Sequence, residues 1–236
     1  MNNLEIEFYS LAPEYTKDFP IQKSSAKIFK WVEELRNDYV KKIKEFPNGG
    51  FTHTSKCIGI NSILKTGWVQ TAYQDITIKT FGDKKTFLWE SEYDQCKSKF
   101  GNIISDAVSF HTKQALHDFK NMPENTLQSV IKIQSPWFAK IPEGYSLLSM
   151  PVPYNDDTRF TAATGILTYN NHLNVQLYWH CLDSTEVIKK GTPLCQYILL
   201  KNESINFKIK DLESLEELKE MYPLYDEVIK ENYEQN

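Results

Sequence analysis

Arginine is almost missing from this chain. Of its 27 basic residues only Arg36 and Arg159 are arginines, and the others are lysines. The planar guanidinium fork is the usual holder of phosphate and carboxylate groups. Its scarcity disfavours a phosphate-handling enzyme, although a lysine-rich coding bias would leave the same mark. The four cysteines, Cys57, Cys96, Cys181 and Cys195, are scattered and show no CxxC spacing, which excludes a zinc-ribbon or disulfide framework. No apolar run approaches the ~20 residues of a membrane helix. The start, MNNLEIEFYSL, has no charged segment ahead of a long apolar one, so neither a signal peptide nor a membrane partner is expected. A basic face is lacking as well. Residues 211–236 hold nine acids against Lys219 and Lys230, leaving 25 basic and 22 acidic residues before them. Nucleic-acid binding ordinarily needs a basic face, so no nucleic-acid partner is expected.

Aromatic residues are plentiful, with 13 Tyr and 13 Phe, and they favour strands. A chain of 236 residues can bury one core, or one core and an appendage. Leu4 to Tyr9 alternates apolar and polar residues like a half-buried strand. After Pro13 and Pro20, Ser24 or Ser25 can cap a helix over residues 26–46. Its apolar stripe is Ile28, Trp31, Val32, Leu35, Tyr39, Ile43 and Phe46, at spacings of three and four. Pro47-Asn48-Gly49-Gly50 ends it. Cys57–Leu64 reads as a short helical turn. Strands are expected over Gly67–Tyr73, Ile76–Phe81 and Thr86–Trp89, the last two joined by the Gly82-Asp83-Lys84-Lys85 loop. Residues 93–125, polar and mixed, read as an irregular excursion or short helices.

From Gln128 onward short strands are expected at Val130–Ile133, Ala139–Ile141, Tyr145–Met150, Phe160–Ala162, Ile166–Tyr169, Val175–His180 and Cys195–Leu200. That spacing predicts an all-β sandwich or barrel, here a jelly roll. Asp211 can cap a final acidic helix bearing Leu212, Leu215, Leu218 and Tyr222, which Pro223 breaks. The fold expectation is therefore mainly β. It has an N-terminal helix-containing α+β region (1–125) packed on a β-barrel core (126–207), followed by an acidic C-terminal helical segment (208–236).

Three blocks of that core carry a resemblance. Ile141-Pro142-Glu143-Gly144-Tyr145 leads through a turn into a strand ending at Pro151. Gly165-Ile166-Leu167 opens a hairpin that continues through Thr168, Tyr169, Asn170, Asn171 and His172. Ile188-Lys189-Lys190-Gly191-Thr192-Pro193-Leu194-Cys195-Gln196 supplies a Gly turn and a glutamine. Their order and distances resemble the dUTPase and dCTP deaminase superfamily. The chain also resembles a group of uncharacterised phage proteins sharing an SPW…PEGY…GI…KGTP…Q pattern, with Ser135-Pro136-Trp137 as the first element. The superfamily likeness implies a dUTPase-like barrel, with Gln196 supporting a phosphate site and the hairpin cupping base and sugar. The chain departs from the pattern where the chemistry lies. Val152, Pro153 and Tyr154 replace the phosphate-binding Arg-Ser-Gly, and they cannot cradle a phosphate in that way. Thr168 stands where an Asp would activate water, and a hydroxyl of such high pKa is no general base. Asn171 replaces the aromatic that packs on the sugar, and the acidic helix replaces the glycine-rich arm.

Other constellations have ordinary readings beside functional ones. Tyr154 to Arg159, with Asp156 and Asp157, reads as a cation or phosphate site or as a solvated turn. His172 and His180, read as flanking one strand, would lie ~26 Å apart, too far to share a metal. His111 and His117 lack helical metal spacing. Cys57 or Cys195 reads as a nucleophile or a core thiol, and Trp137, Tyr178 and Trp179 as a stacking platform or barrel filling.

The resulting expectation is a non-catalytic phage protein on a dUTPase-like barrel. It would be a structural or assembly component made in the host cytoplasm and present in the virion, with no cofactor and no metal. Its partners would be further copies of itself, a trimer being one option, or other virion proteins. The alternatives are a nucleotide sensor or sponge that uses Thr168, Asn170, Asn171, His172 and Gln196, and a divergent pyrophosphatase that recruits Asp156 or Asp183. No catalytic residue is assigned.

Overall fold

The computed structural model describes residues 4–25, 28–46, 54–92, 96–98, 101–104, 106–111, 125–169, 171–204, 206 and 214–221. The chain forms two compact units, Met1–Asn202 and Glu203–Asn236.

The first unit is mainly β, with few helices and open sheets. Its strands are β1 (Glu7–Ser10), β2 (Gln22–Lys23), β3 (Trp68–Thr71), β4 (Ile76–Thr80), β5 (Phe87–Ser91), β6 (Cys96–Ser98), β7 (Gly101–Ile104) and β8 (Val108–His111), then β9 (Val130–Ile133), β10 (Trp137–Lys140), β11 (Tyr145–Met150), β12 (Phe160–Ala162), β13 (Gly165–Leu167), β14 (Asn171–His172), β15 (Val175–Trp179), β16 (Thr185–Ile188) and β17 (Pro193–Lys201). Its helices are α1 (Pro13–Thr16), α2 (Lys30–Glu45) and α3 (Ile58–Ile63), with a 3-10 turn at Thr54–Lys56. The sheets run β1-β10-β14, β13-β11-β17-β3-β2, β12-β15-β9-β8, β16-β4-β5 and β6-β7. Strands from the two halves of the sequence share four of them. β3 pairs with β17, β4 with β16, β1 with β10 and β8 with β9, all antiparallel.

Alternation explains the core. In β15, Val175, Leu177 and Trp179 are buried while Gln176 is exposed, as the two-residue period of a strand requires. Ile76, Ile78, Ile131, Leu147, Ile188 and Tyr197 join them in one cluster. A second cluster forms where Phe29, Val32, Leu64, Val69 and Val152 meet. Gly191 sits where the chain closes on the core: its N–H donates to the Ala72 carbonyl at 2.7 Å, and Ala72 N–H donates to the Thr192 carbonyl at 2.9 Å.

Several expectations need correction. Residues 93–125 include three strands, β6 to β8, rather than only loops or helical turns. Strand β16 was not foreseen. The helix expected from residue 26 is α2, which begins at Lys30, with Phe29 as its N-cap and no side-chain cap. Ser24 instead donates its hydroxyl to the Leu64 carbonyl at 2.8 Å. Only the first half of the α2 stripe is packed, since Ile43 and Phe46 are 40% and 62% exposed. In the second unit, α4 (Leu215–Met221) follows Ser214, whose hydroxyl accepts from Glu217 N–H at 3.1 Å. Asp211, Leu212, Tyr222 and Pro223 lie outside the described residues. No helix among the described residues is long and apolar enough to cross a membrane.

Candidate functional site

The positions implicated by the resemblance fall in different surroundings. Val152 is 5% exposed and packs with Phe29, Val32 and Leu64. Tyr154 follows in a left-handed conformation (φ 54°), its ring tilted against Trp31 at 6.3 Å. The loop after β11 is thus pinned to α2 by apolar contact. In the same loop the Arg159 guanidinium grips Asp157, with Nε–Oδ1 2.9 Å and Nη2–Oδ2 2.7 Å, and also donates to the Val187 carbonyl at 2.5 Å. Burial raises the Asp157 pKa, but the bonds and charge of Arg159 outweigh it and hold the carboxyl below its ordinary range. Asp156 is exposed in this turn, and Asp183 is exposed ahead of β16. A small cavity of about 190 Å³ opens here between Asn155, Asp157, Thr161 and Leu194.

Gln196 is fully buried. Its amide donates to the carbonyls of Ile63, at 2.8 Å, and Thr66, at 2.5 Å, in the segment that ends α3. The expected hairpin does not form among the described residues: β13 pairs with β11 and β14 with β10, in separate sheets, and Thr168 is exposed between them, beside Tyr169 at 70% exposure. Asn170 and the Asn171 side chain lie outside the described residues, while the Asn171 backbone pairs with Ala139. His172 lies opposite Phe138, with ring centroids 5.5 Å apart and planes at 84°. His172 and Gln196 therefore belong to different sheets and are not brought together. His172 ends β14 and His180 follows β15, the strand being interrupted at Leu173-Asn174 between them. His180 accepts from or donates to Thr161 Oγ1 at 2.8 Å.

Cys57 is exposed rather than a core thiol, whereas Cys195, Trp137 and Trp179 serve packing. Trp179 is fully buried and stacks on Phe160, and Trp137 is 8% exposed. Burial pushes the Cys195 thiol up to about 12, which leaves it protonated and unreactive. Among the described residues no group of three His, Cys, Asp or Glu side chains is placed to hold a metal ion.

A larger opening, about 600 Å³, lies over the β1-β10-β14 sheet. Tyr9, Phe138 and His172 are direct partners across its three strands, so their side chains share one face. Tyr9 donates its hydroxyl to Glu7, which also accepts from Lys140 Nζ at 2.5 Å. The Glu7 carboxylate raises the Tyr9 pKa above the ordinary tyrosine value. Pro13 and Glu14 from α1 complete the wall. Of this group only His172 was singled out from the sequence. Tyr9 belonged to the alternating Leu4–Tyr9 pattern and Phe138 follows the Ser-Pro-Trp triplet, but only sheet register unites them.

No protein-family model and no curated protein sequence matches the chain. Solved structures similar to it include a mutant dUTPase from phage phi11 of S. aureus, at 14% identity over 59% of this chain and 99% of that one, with a TM-score of 0.28. The Staphylococcus bacteriophage 80alpha dUTPase is similar at 17% identity, over 59% of this chain and 98% of that one, again with a TM-score of 0.28. With dUPNHPP bound, that phage enzyme matches at 16% identity over 59% and 90% of the two chains, with a TM-score of 0.28.

Proposed function

We propose that this chain is a non-catalytic protein on a dUTPase-like jelly-roll framework, acting as a self-associating structural or assembly component of a phage particle. The observation supporting it most is the commitment of Gln196. Its amide closes the α3–β3 segment onto β17 and so is turned to holding the fold. Val152, buried under α2, points the same way: a phosphate-loop position has become core. The test combines a screen of deoxynucleoside triphosphates with Mg²⁺, sedimentation of the purified chain and mass spectrometry of purified particles. The expected results are no pyrophosphate release, a mass that is a multiple of the 27.5 kDa chain, and the chain present in particles. Turnover of any triphosphate, or a monomer absent from particles, overturns it.

A second reading is a protein that holds a nucleotide-like ligand without turnover. One observation favours it: His172, in the segment that the resemblance assigns to the base, lines the roomy groove over β1, β10 and β14. Equilibrium binding of nucleosides and nucleotides to the intact chain tests it.

A further inference from the structure

We propose that two copies of this chain pair through the free edge of β13, as antiparallel strands related by a two-fold axis. This rests on the self-association in the first reading above and gives it a surface and a stoichiometry. Strand β13 ends the five-stranded sheet β13-β11-β17-β3-β2. On one side it pairs with β11, Leu167 opposite Leu147, Ile166 opposite Leu148 and Gly165 opposite Ser149. On the other side no backbone hydrogen bond reaches Gly165, Ile166 or Leu167 among the described residues. Unpaired N–H and C=O groups along a strand edge are a template for a further strand.

The two edges of this sheet differ. Edge strands are ordinarily blunted by charge, proline, a bulge or shortness. At the far end β2 is two residues long, both exposed, and one of them is Lys23. Pro20 stands just before it. Strand β13 has neither charge nor proline, and its register with β11 shows no bulge. Its central residue, Ile166, is 58% exposed.

The face beside this edge favours a second copy over an unrelated strand. Ile166, Leu148 and Ile198 are direct partners across β13, β11 and β17, so their side chains form one row. Leu147, Leu167 and Leu199, each one residue along, pack in the main core, which turns the row to the opposite face. Ser146, Met150 and Leu200 share that face, and the three strands place no charged side chain on it. A two-fold axis at Ile166 sets this residue against its own mate and Gly165 against Leu167 of the second copy. The row then runs unbroken from one Ile198 to the other, and no like charges meet across it. Two β2 edges paired in the same way would bring Lys23 close to Lys23. Identical edges pair antiparallel only across a two-fold, and the contact closes on itself, so the assembly is a dimer and not a trimer.

The test is sedimentation of the full chain over a concentration series reaching about 200 μM, since contacts of small area associate weakly. The expected limiting mass is twice that of the 27.5 kDa chain. Ile166→Lys, at an exposed position, should weaken dimerisation about tenfold or more, because it sets like charges across the axis, with an unchanged circular dichroism spectrum. Lys23→Glu, at the opposite edge, should leave dimerisation as it is. In hydrogen exchange, at least one amide of Gly165–Leu167 should gain protection as the wild-type concentration rises, and none should in Ile166→Lys. A trimer, a dimer indifferent to Ile166→Lys, or equal weakening by both substitutions would leave self-association standing and sink this edge as its surface. A monomer throughout the series would overturn both this pairing and the self-association of the first reading.

Discussion

The Gln196 side chain donates from the centre of β17 to the backbone carbonyl of Ile63 across 2.8 Å, and a second bond reaches Thr66. One amide thus ties the end of α3 and the entry to β3 to a core strand. Gln196→Leu removes this donor from both part-buried carbonyls, though Ile63 still accepts from Thr66 N–H at 3.2 Å. Leaving such groups unpaired costs about 2 kcal/mol. The urea midpoint should fall accordingly. An unchanged midpoint would mean that the amide does not anchor the segment.

Two glycines with similar backbone conformations should respond very differently to alanine. Gly67 (φ +71°) faces Tyr197, and a Cβ there would meet the Tyr197 carbonyl oxygen at 1.8 Å. Backbone cannot yield to that contact without opening the β3–β17 pairing. Gly144 (φ +77°), the glycine of the Pro-Glu-Gly-Tyr turn, has nothing within 4 Å. Gly144→Ala should cost only the left-handed penalty, roughly 1 kcal/mol. Gly67→Ala should cost about 4 kcal/mol or more, or prevent soluble expression. Equal melting temperatures for the two variants would contradict this.

The halves of the α2 stripe should likewise separate. Leu64, 2% exposed, packs beneath the first half beside Phe29 and Val32. Leu64→Ala should cost about 3 kcal/mol through lost contacts and the cavity left behind. Phe46, at 62% exposure, should tolerate Ser within about 0.5 kcal/mol. Denaturant titration of both variants measures the contrast, and a large loss at Phe46 would show that the helix end is covered in solution.

Legibility in the sequence followed the range of the determining contacts. Tyr145–Met150 and Phe160–Ala162 were readable to the residue because their bounding turns are local, and Phe160–Ala162 also alternates. Strand β16 was not, since Thr185, Glu186 and Val187 alternate weakly and only Ile188 is buried. Its partner β4 lies more than a hundred residues earlier. Strand β8 alternates too, but its polar flanks obscured it. The site divided in the same way. His172 was picked from an expected hairpin that the structure splits between two sheets, and its union with Phe138 and Tyr9 is a matter of register between distant strands, which no local pattern encodes. Gln196 was also picked, with a different role, because its partners in the α3 segment lie some 130 residues away.

The hairpin between β4 and β5 carries a defined acid sensitivity. Asp83 accepts the Thr86 hydroxyl at 2.5 Å and the N–H groups of Thr86 and Lys85 at 2.8 Å each. These bonds, led by the Thr86 hydroxyl, pull its carboxyl from an ordinary 3.8 to about 2. A carboxyl depressed in the folded state stabilises the fold above its unfolded pKa. That contribution is complete above about pH 4 and is lost as pH falls from there through about 2. The amide resonances of Lys85 and Thr86 should therefore hold steady on acidification to about pH 4 and then shift together toward pH 2. In Asp83→Asn the side-chain oxygen still accepts but no longer titrates, so both resonances should stay flat across that window. A wild-type transition centred near the ordinary 3.8 would show that the three bonds do not persist in solution.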